Sequence, residues 1–268
     1  MTRTERAEKA RQTLEYFHKG FYTVNGEKIP CQSFFDTEFI TESQLEALSM
    51  PNNNFKPTYE VVNESVIDTI FRIGRDTPNC IYGILNFASA KNPGGGFLNG
   101  AVAQEEALAI SSDLYNSQLQ APKFYESNRR FRSSLYLHNM IYSHGIKFIR
   151  DAQLNTVRTP VIANVLTLPA VNAGAYYKNE KGSKSTVISV METRIRYILK
   201  LFAAKGNRTI VLGAFGCGVF GNDPADVAGI FYKLLKEENL EKQFEHIIFA
   251  IYDPKGQQYN IFKRKFNS

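Results

Sequence analysis

No stretch of the chain approaches the roughly 20 consecutive apolar residues that a bilayer-spanning helix needs, so a membrane span is not expected. Cysteine is scarce: Cys31, Cys80 and Cys217 are far apart, odd in number and without metal-ligand spacing. That pattern argues against a disulfide framework and suits a reducing cytoplasm. Thr2–Arg11 is charged and helix-like with no apolar segment after it, so no secretory signal is expected. No run of five or six basic residues marks a nucleic-acid arm. The net charge of +6 favours an anionic partner, although a solvated basic surface would give the same number. Internal repeats, low-complexity segments and Pro/Ser-rich linkers are also missing.

What is present is enough for a substantial core. The 268 residues carry 43% hydrophobic and 22% charged side chains, ordinary values for a globular α/β chain. Thr4–Lys19 has apolar residues at helical spacing and ends at Gly20. Phe21–Val24 and Glu27–Cys31 flank Asn25-Gly26, a type I′ hairpin signal. One helix is expected around Glu42–Leu48, then a loop over Pro51–Pro57. From Thr58 the chain alternates. Strands are predicted at Tyr59–Val62, Ile81–Phe87, Met140–Ser143, Phe148–Arg150, Pro160–Leu166, Thr209–Leu212 and His246–Tyr252. Helices are predicted at Ser65–Gly74, Glu105–Leu119, Ser185–Ala204, Pro224–Glu237 and Tyr259–Phe266, with Ala121–Ser134 an irregular connection. Nearly all-apolar strands separated by helices imply a sheet covered on both faces. The expected organisation is an N-terminal helical and hairpin extension, 1–57, packed on one α/β domain, 58–268.

Two glycine-rich stretches leave the carboxyl ends of predicted strands, where open α/β sheets bind ligands. The first runs Asn92-Pro-Gly-Gly-Gly-Phe-Leu-Asn-Gly-Ala-Val-Ala-Gln-Glu-Glu106 and leads into a helix. Gly94, Gly95 and Gly96 let backbone approach a ligand with no side chain between. The second is Gly213-Ala-Phe-Gly-Cys-Gly-Val-Phe-Gly-Asn-Asp223, ending at a helix start with Pro224 in its first turn. Either loop alone could be a tight turn that needs glycine only for packing. Two such loops, each at a helix N-terminus and facing each other, would form an anion cradle able to hold a diphosphate between them. Neither matches a phosphate loop ending in Lys-Ser/Thr or the G-x-G-x-x-G dinucleotide order.

Glu105 and Glu106 are adjacent, so on a helix they point roughly 100° apart. They cannot face each other across a sugar as ordinary glycosidase carboxylates do, about 5–9.5 Å apart. At most one can meet a scissile bond head on. Each taken singly could be a first-turn glutamate favoured by the helix dipole. A helix N-terminus lowers a carboxylate pKa, whereas a neighbouring anionic ligand raises it, so the proton-donating form of such a site is expected to be assembled by its ligand.

Gly94-Gly95-Gly96, seven residues (Phe97–Ala103), then Gln104-Glu105-Glu106 resembles the signature of the bacterial-type poly(ADP-ribose) glycohydrolases, a branch of the macrodomain fold. The likeness extends upstream over Asn86–Pro93 and takes in Gly213–Asp223, similar to the second, diphosphate-binding macrodomain loop. It implies a macrodomain-like three-layer α/β/α fold with a mixed, largely parallel central sheet. It implies hydrolysis of ribose–ribose O-glycosidic bonds, with Glu106 as acid and base and Glu105 holding ribose hydroxyls. Backbone from Gly94–Gly96 and from Gly216, Cys217, Gly218, Val219, Phe220 and Gly221 would contact the ligand, with Phe220 against the distal ribose. Asn92 is a candidate ribose contact or a turn cap, Gln104 a further binding residue, and Glu64 a candidate at adenine or a helix-start carboxylate. A monomer without a cofactor is expected, and the resemblance implies action on poly(ADP-ribose) or ADP-ribosylated protein. The same pocket would suit a mono-ADP-ribosyl hydrolase or a non-catalytic reader, although the intact Gln-Glu-Glu speaks against the reader.

Overall fold

The computed structural model describes residues 1–33, 36–76 and 82–266. Cys80, Ile81 and Phe34 lie outside the described residues. Helix α1 (Arg3–Lys19) starts at a reciprocal cap: the Thr2 hydroxyl accepts from Glu5 N, and the Glu5 carboxylate accepts from Thr2 N. It stops at Gly20, whose φ of 78° is left-handed. Strands β1 (Phe21–Val24) and β2 (Glu27–Pro30) pair antiparallel across Asn25 and Gly26, both with positive φ, as a type I′ turn requires.

The main sheet has seven strands. In chain order they are β3 (Asp36–Ile40), β4 (Thr58–Val62), β5 (Tyr82–Phe87), β6 (Met140–Arg150), β7 (Thr156–Leu168), β8 (Thr209–Leu212) and β9 (His246–Ala250). Across the sheet they run β3-β6-β7-β5-β8-β9-β4. The β3/β6 and β6/β7 pairs are antiparallel, and β7/β5, β5/β8, β8/β9 and β9/β4 are parallel. Strands β5, β8 and β9 are almost wholly buried, because helices cover both faces. On one face α8 (Lys184–Ala204), α9 (Pro224–Tyr232) and α10 (Gln257–Phe266) pack through Ile195, Phe202, Phe231 and Phe262. On the other, α3 (Val66–Asp76) and α4 (Gln104–Ser111) pack through Ile67, Ile70 and Leu108.

Several elements differ from the sequence expectation. The two short strands at Met140–Ser143 and Phe148–Arg150 are one strand, β6, with a register shift between Ser143 and Ile146 that Gly145 (φ 62°) accommodates. The helix expected over Glu105–Leu119 breaks in two. Ser112 is extended and bridges Phe148, and Asp113 Oδ1 accepts from Lys147 N at 2.9 Å, so pairing to β6 overrides helix propensity before α5 (Leu114–Gln118) begins. The segment read as irregular contains α6 (Pro122–Arg130), started by Pro122 in its first turn. Strand β3 and helix α7 (Ala173–Glu180) were not expected, and the last strand ends at Ala250 rather than Tyr252. A short α2 (Glu42–Glu46) stands where one helix was expected. Helix α9 gives way to a π-helical turn over Lys233–Glu237. No helix among the described residues is long and apolar enough to cross a membrane.

Candidate active site

Strands β5 and β8 are neighbours, pairing from Tyr82↔Thr209 to Ile84↔Val211. Their carboxyl ends therefore deliver the two glycine loops side by side. Between the loops lies a cleft of about 430 Å³ whose lining includes Ser89, Asn92, Gly95, Glu105, Glu106, Tyr136, Gly216, Gly218, Val219 and Phe220. At Phe87, Ala103, Gln104 and Ala214 it meets a second cavity of about 640 Å³, which reaches Asp68 at the start of α3 and Tyr252 after β9.

The glutamates are set by the start of α4. Gln104 lines the cleft, yet its side chain works as a piece of neighbouring strand. Its Nε2 donates to Leu85 O at 2.7 Å, and its Oε1 accepts from Phe87 N at 2.8 Å. That clamp fixes the helix start against β5. Glu105 is then only 2% exposed and accepts three N–H bonds: Ser89 N at 2.6 Å, Gln118 Nε2 at 2.8 Å and Asn86 Nδ2 at 3.2 Å. Burial pushes its carboxyl up to about 7; the three donors pull against that shift and the Glu106 charge adds to it. Glu106 is less enclosed. Its Oε1 accepts from Gly96 N at 2.9 Å, and its Oε2 has no hydrogen bond among the described residues.

The glycines are required by these carboxylates. Gly95 has φ 59°, and a Cβ there would stand 2.4 Å from Glu106 Oε1 and 3.2 Å from Glu105 Oε2. Both carboxylates thus converge on one glycine, which explains why the loop cannot carry a side chain there. Gly94 N donates to Gln118 Oε1 at 2.7 Å, while the amide of the same Gln118 holds Glu105. This fully buried glutamine ties the first loop to the buried glutamate. It stands on α5, past the break at Ser112 and Asp113 that separates it from the signature, and gave no sequence signal.

The second loop is held from beneath. Asn222 Nδ2 donates to Val171 O at 2.7 Å and to Gly216 O at 3.0 Å. A Cβ on Gly216 (φ 76°) would lie 2.4 Å from the Ala170 methyl. The N–H groups of Gly218, Val219 and Phe220 make no hydrogen bond among the described residues, and Val219 is 97% exposed at the loop tip. Such a row of exposed amides before the N-terminus of α9 is an anion cradle. Phe220 packs beside Tyr136, ring centroids 6.1 Å apart. Tyr136 has φ 56°, and buried Arg194 of α8 pins its segment by donating to the carbonyls of Leu135, Tyr136 and Leu137. Burial lowers that guanidinium to about 9, which still leaves it charged near neutral pH.

Other residues singled out from sequence stand off the cleft. Glu64 is engaged by Arg72 Nε at 3.2 Å, in a cluster with Glu60, and Asp68, one helical turn on, lines the cavity instead. Cys217 turns into the core, where burial raises its thiol to about 12, so it is no thiolate. Gly94 lies under the Phe97 and Tyr115 rings, and Gly221 (φ 68°) closes the second loop by donating to Gly218 O. Gln118, Asn222 and Arg194 are the supporting residues that sequence reasoning missed. Among the described residues there is no group of three or more His, Cys, Asp or Glu able to hold a metal.

The family model for the microbial-type PARG catalytic domain matches residues 10–151. Poly(ADP-ribose) glycohydrolase from Thermomonospora curvata is 34% identical, with 98% of this chain and 100% of that chain covered at a TM-score of 0.91. The same protein bound to the inhibitor ADP-HPD aligns at 0.89 with the same identity and coverage. Poly(ADP-ribose) glycohydrolase from Deinococcus radiodurans, in complex with ADP-ribose, is 39% identical over 86% of this chain and 94% of that chain, with a TM-score of 0.80. No curated protein sequence matches. The chain belongs to the microbial-type poly(ADP-ribose) glycohydrolase family and is a glycoside hydrolase of that kind.

Proposed function

We propose that the cleft holds the terminal ADP-ribose of a poly(ADP-ribose) chain and that Glu106 carries the proton chemistry. The observation behind this is the division of labour between the glutamates. Both Glu105 oxygens are held by N–H donors in a buried pocket, whereas Glu106, which lines the cleft, has one oxygen on Gly96 N and the other without a hydrogen bond among the described residues. A group with both oxygens fixed is suited to hold ribose hydroxyls, and one with an oxygen free of hydrogen bonds is suited to transfer a proton.

In this reading the diphosphate lies on the exposed amides of Gly218–Phe220, and the distal ribose beside Phe220 and Asn92. Adenosine extends into the second cavity, where Asp68 rather than Glu64 faces it. Protonated Glu106 gives its proton to the leaving 2′ oxygen of the next ribose as the anomeric C–O bond breaks. The diphosphate and the carboxylates stabilise the oxocarbenium-like transition state. Water then adds to the anomeric carbon and returns a proton to Glu106, so the enzyme is regenerated and one water is consumed per bond.

The same reading takes 1–57 as an extension on a 58–268 catalytic domain, and the protein as a cytoplasmic monomer acting on polymer or ADP-ribosylated protein without a cofactor. Packing of α1 against the Phe97–Asn99 turn and pairing of β3 to β6 support an extension docked on the core. A second reading has a specific observation behind it: Glu105 also lines the cleft and is buried there, and burial raises its carboxyl to about 7, the range of an acid at neutral pH. Glu106→Gln should lower turnover of polymer by about 10²–10⁴-fold, the usual weight of a proton donor, with ADP-ribose affinity retained. Full turnover in Glu106→Gln with loss in Glu105→Gln would transfer the role to Glu105.

A further inference from the structure

The cations at the catalytic end of the cleft have no part in the chemistry above. Lys91 lines the cleft next to Asn92, and Arg129, in the last turn of α6, donates to the Lys91 carbonyl. From Arg129 the chain runs Arg130-Phe131-Arg132 and reaches the cleft again at Tyr136, which Arg194 fixes from below. The segment is therefore anchored to the cleft rim at both ends. Arg129, Arg130 and Arg132 are exposed, and Phe131 is an exposed large apolar side chain, 38% accessible. No carboxylate forms an ion pair with Lys91, Arg129, Arg130 or Arg132 among the described residues. The acidic neighbours are Glu126, exposed on α6, and Glu180, whose oxygens are taken by Ser133 Oγ and Ser134 N.

The opposite end of the cleft differs. The second cavity is lined by Asp68 and neutral or apolar residues, with no lysine or arginine among the described residues. One end thus suits a neutral nucleoside, and the other suits more phosphate. Arginines interleaved with an exposed aromatic ring are the elements that bind single-stranded nucleic acid, cations on phosphates and rings on bases.

We propose that Lys91, Arg129, Arg130, Phe131 and Arg132 bind the ADP-ribose unit on the leaving-group side of the scissile bond, the cations on its diphosphate and Phe131 stacked on its adenine. The direction of the chain rests on the glycohydrolase reading, in which the bond at Glu106 joins the unit in the cleft to the next one outside. Glu106 abuts Gly96, and the Gly95 N–H donates to Asn92 O, so the path from the scissile bond leads over Asn92 and Lys91 to Arg129. This surface would make the enzyme favour polymer over a single ADP-ribose unit attached to protein.

The test compares purified poly(ADP-ribose) with free ADP-ribose as ligands. Both are titrated into Glu106→Gln and into the same protein carrying Arg130→Ala, Phe131→Ala and Arg132→Ala. Polymer affinity should fall by about tenfold or more, as loss of base stacking and phosphate contacts does elsewhere. The slope of log Kd against log salt should drop by about 0.7 for each cation removed, the single-strand value. ADP-ribose, which ends at the scissile position, should bind as it does to Glu106→Gln alone. Arg130→Lys with Arg132→Lys should restore the salt slope. Unchanged polymer affinity would overturn the proposal. So would a parallel loss for both ligands, because the segment would then only support the cleft. Release of ADP-ribose from polymer by the unsubstituted enzyme is followed alongside. Its absence would remove the hydrolytic reading while the affinity comparison still decides the polymer site.

Discussion

At the scale of single residues, two chemically identical side chains are given different environments by one step along a helix. The 100° between successive helical positions separates them, and burial completes the separation. Glu105 lies in a pocket of N–H donors, and Glu106 at the cleft wall. The buried carboxyl has a consequence for stability. Unfolded, it titrates near its ordinary 4.5, and in the fold near 7. Below pH 4.5 it is neutral in both states and its contribution is fully present. Between pH 4.5 and 7 the unfolded chain releases a proton that the fold retains, so stability falls as pH rises, by on the order of 3 kcal/mol in all, and is level above. Urea midpoints measured across this range for the wild type and Glu105→Gln should show a declining difference attributable to Glu105. A pH dependence identical in the two proteins would contradict this assignment.

At the scale of elements, the cleft depends on loops clamped by side chains from elsewhere in the chain. Asn222 holds Gly216 and Val171 together, and it is only 5% exposed. Asn222→Ala would leave Val171 O without its donor, while Gly216 O keeps the Asn222 backbone N–H, costing about 1–3 kcal/mol in urea titrations. It should also weaken ADP-ribose binding by about tenfold through a looser cradle. Retained affinity would show that the loop holds its shape unaided. The glycine loops and the glutamate pair were legible in the sequence because each carries a local signature: positive-φ glycines after an apolar strand, then a helix start. The clamps were not, since Gln118, Asn222 and Arg194 are ordinary polar residues until the fold buries them against backbone. For the same reason β3, a polar edge strand with the sequence Asp-Thr-Glu-Phe-Ile, escaped notice. It gains its structure from pairing to β6 rather than from an apolar alternation. The Ser112–Asp113 break, likewise, is imposed by Phe148 and Lys147 of β6.

At the scale of the whole molecule, the sheet order places the site. Because β5 and β8 are adjacent and parallel, two loops more than a hundred residues apart in sequence open onto the same cleft. The N-terminal helix braces the first of them from behind. Arg3 Nε donates to Asn99 O at 2.7 Å and Arg6 Nε to Gly100 O at 3.0 Å. Gly100 needs its φ of 71° and its missing side chain, since a Cβ there would stand 2.0 Å from Arg3 O. Helix α1 thus braces the turn that follows Gly94–Gly96, and with it the carboxylate geometry. In the proposed reading Glu106 is the proton donor. A donor is needed only when the leaving group is a poor one, so the most direct measurement is the turnover of Glu106→Gln on polymer and on the p-nitrophenyl glycoside of ADP-ribose. The deficit on the p-nitrophenyl substrate should be smaller by about 10²-fold than on polymer, because that leaving group departs without protonation. Equal deficits on both substrates, or selective rescue of Glu105→Gln instead, would contradict that reading.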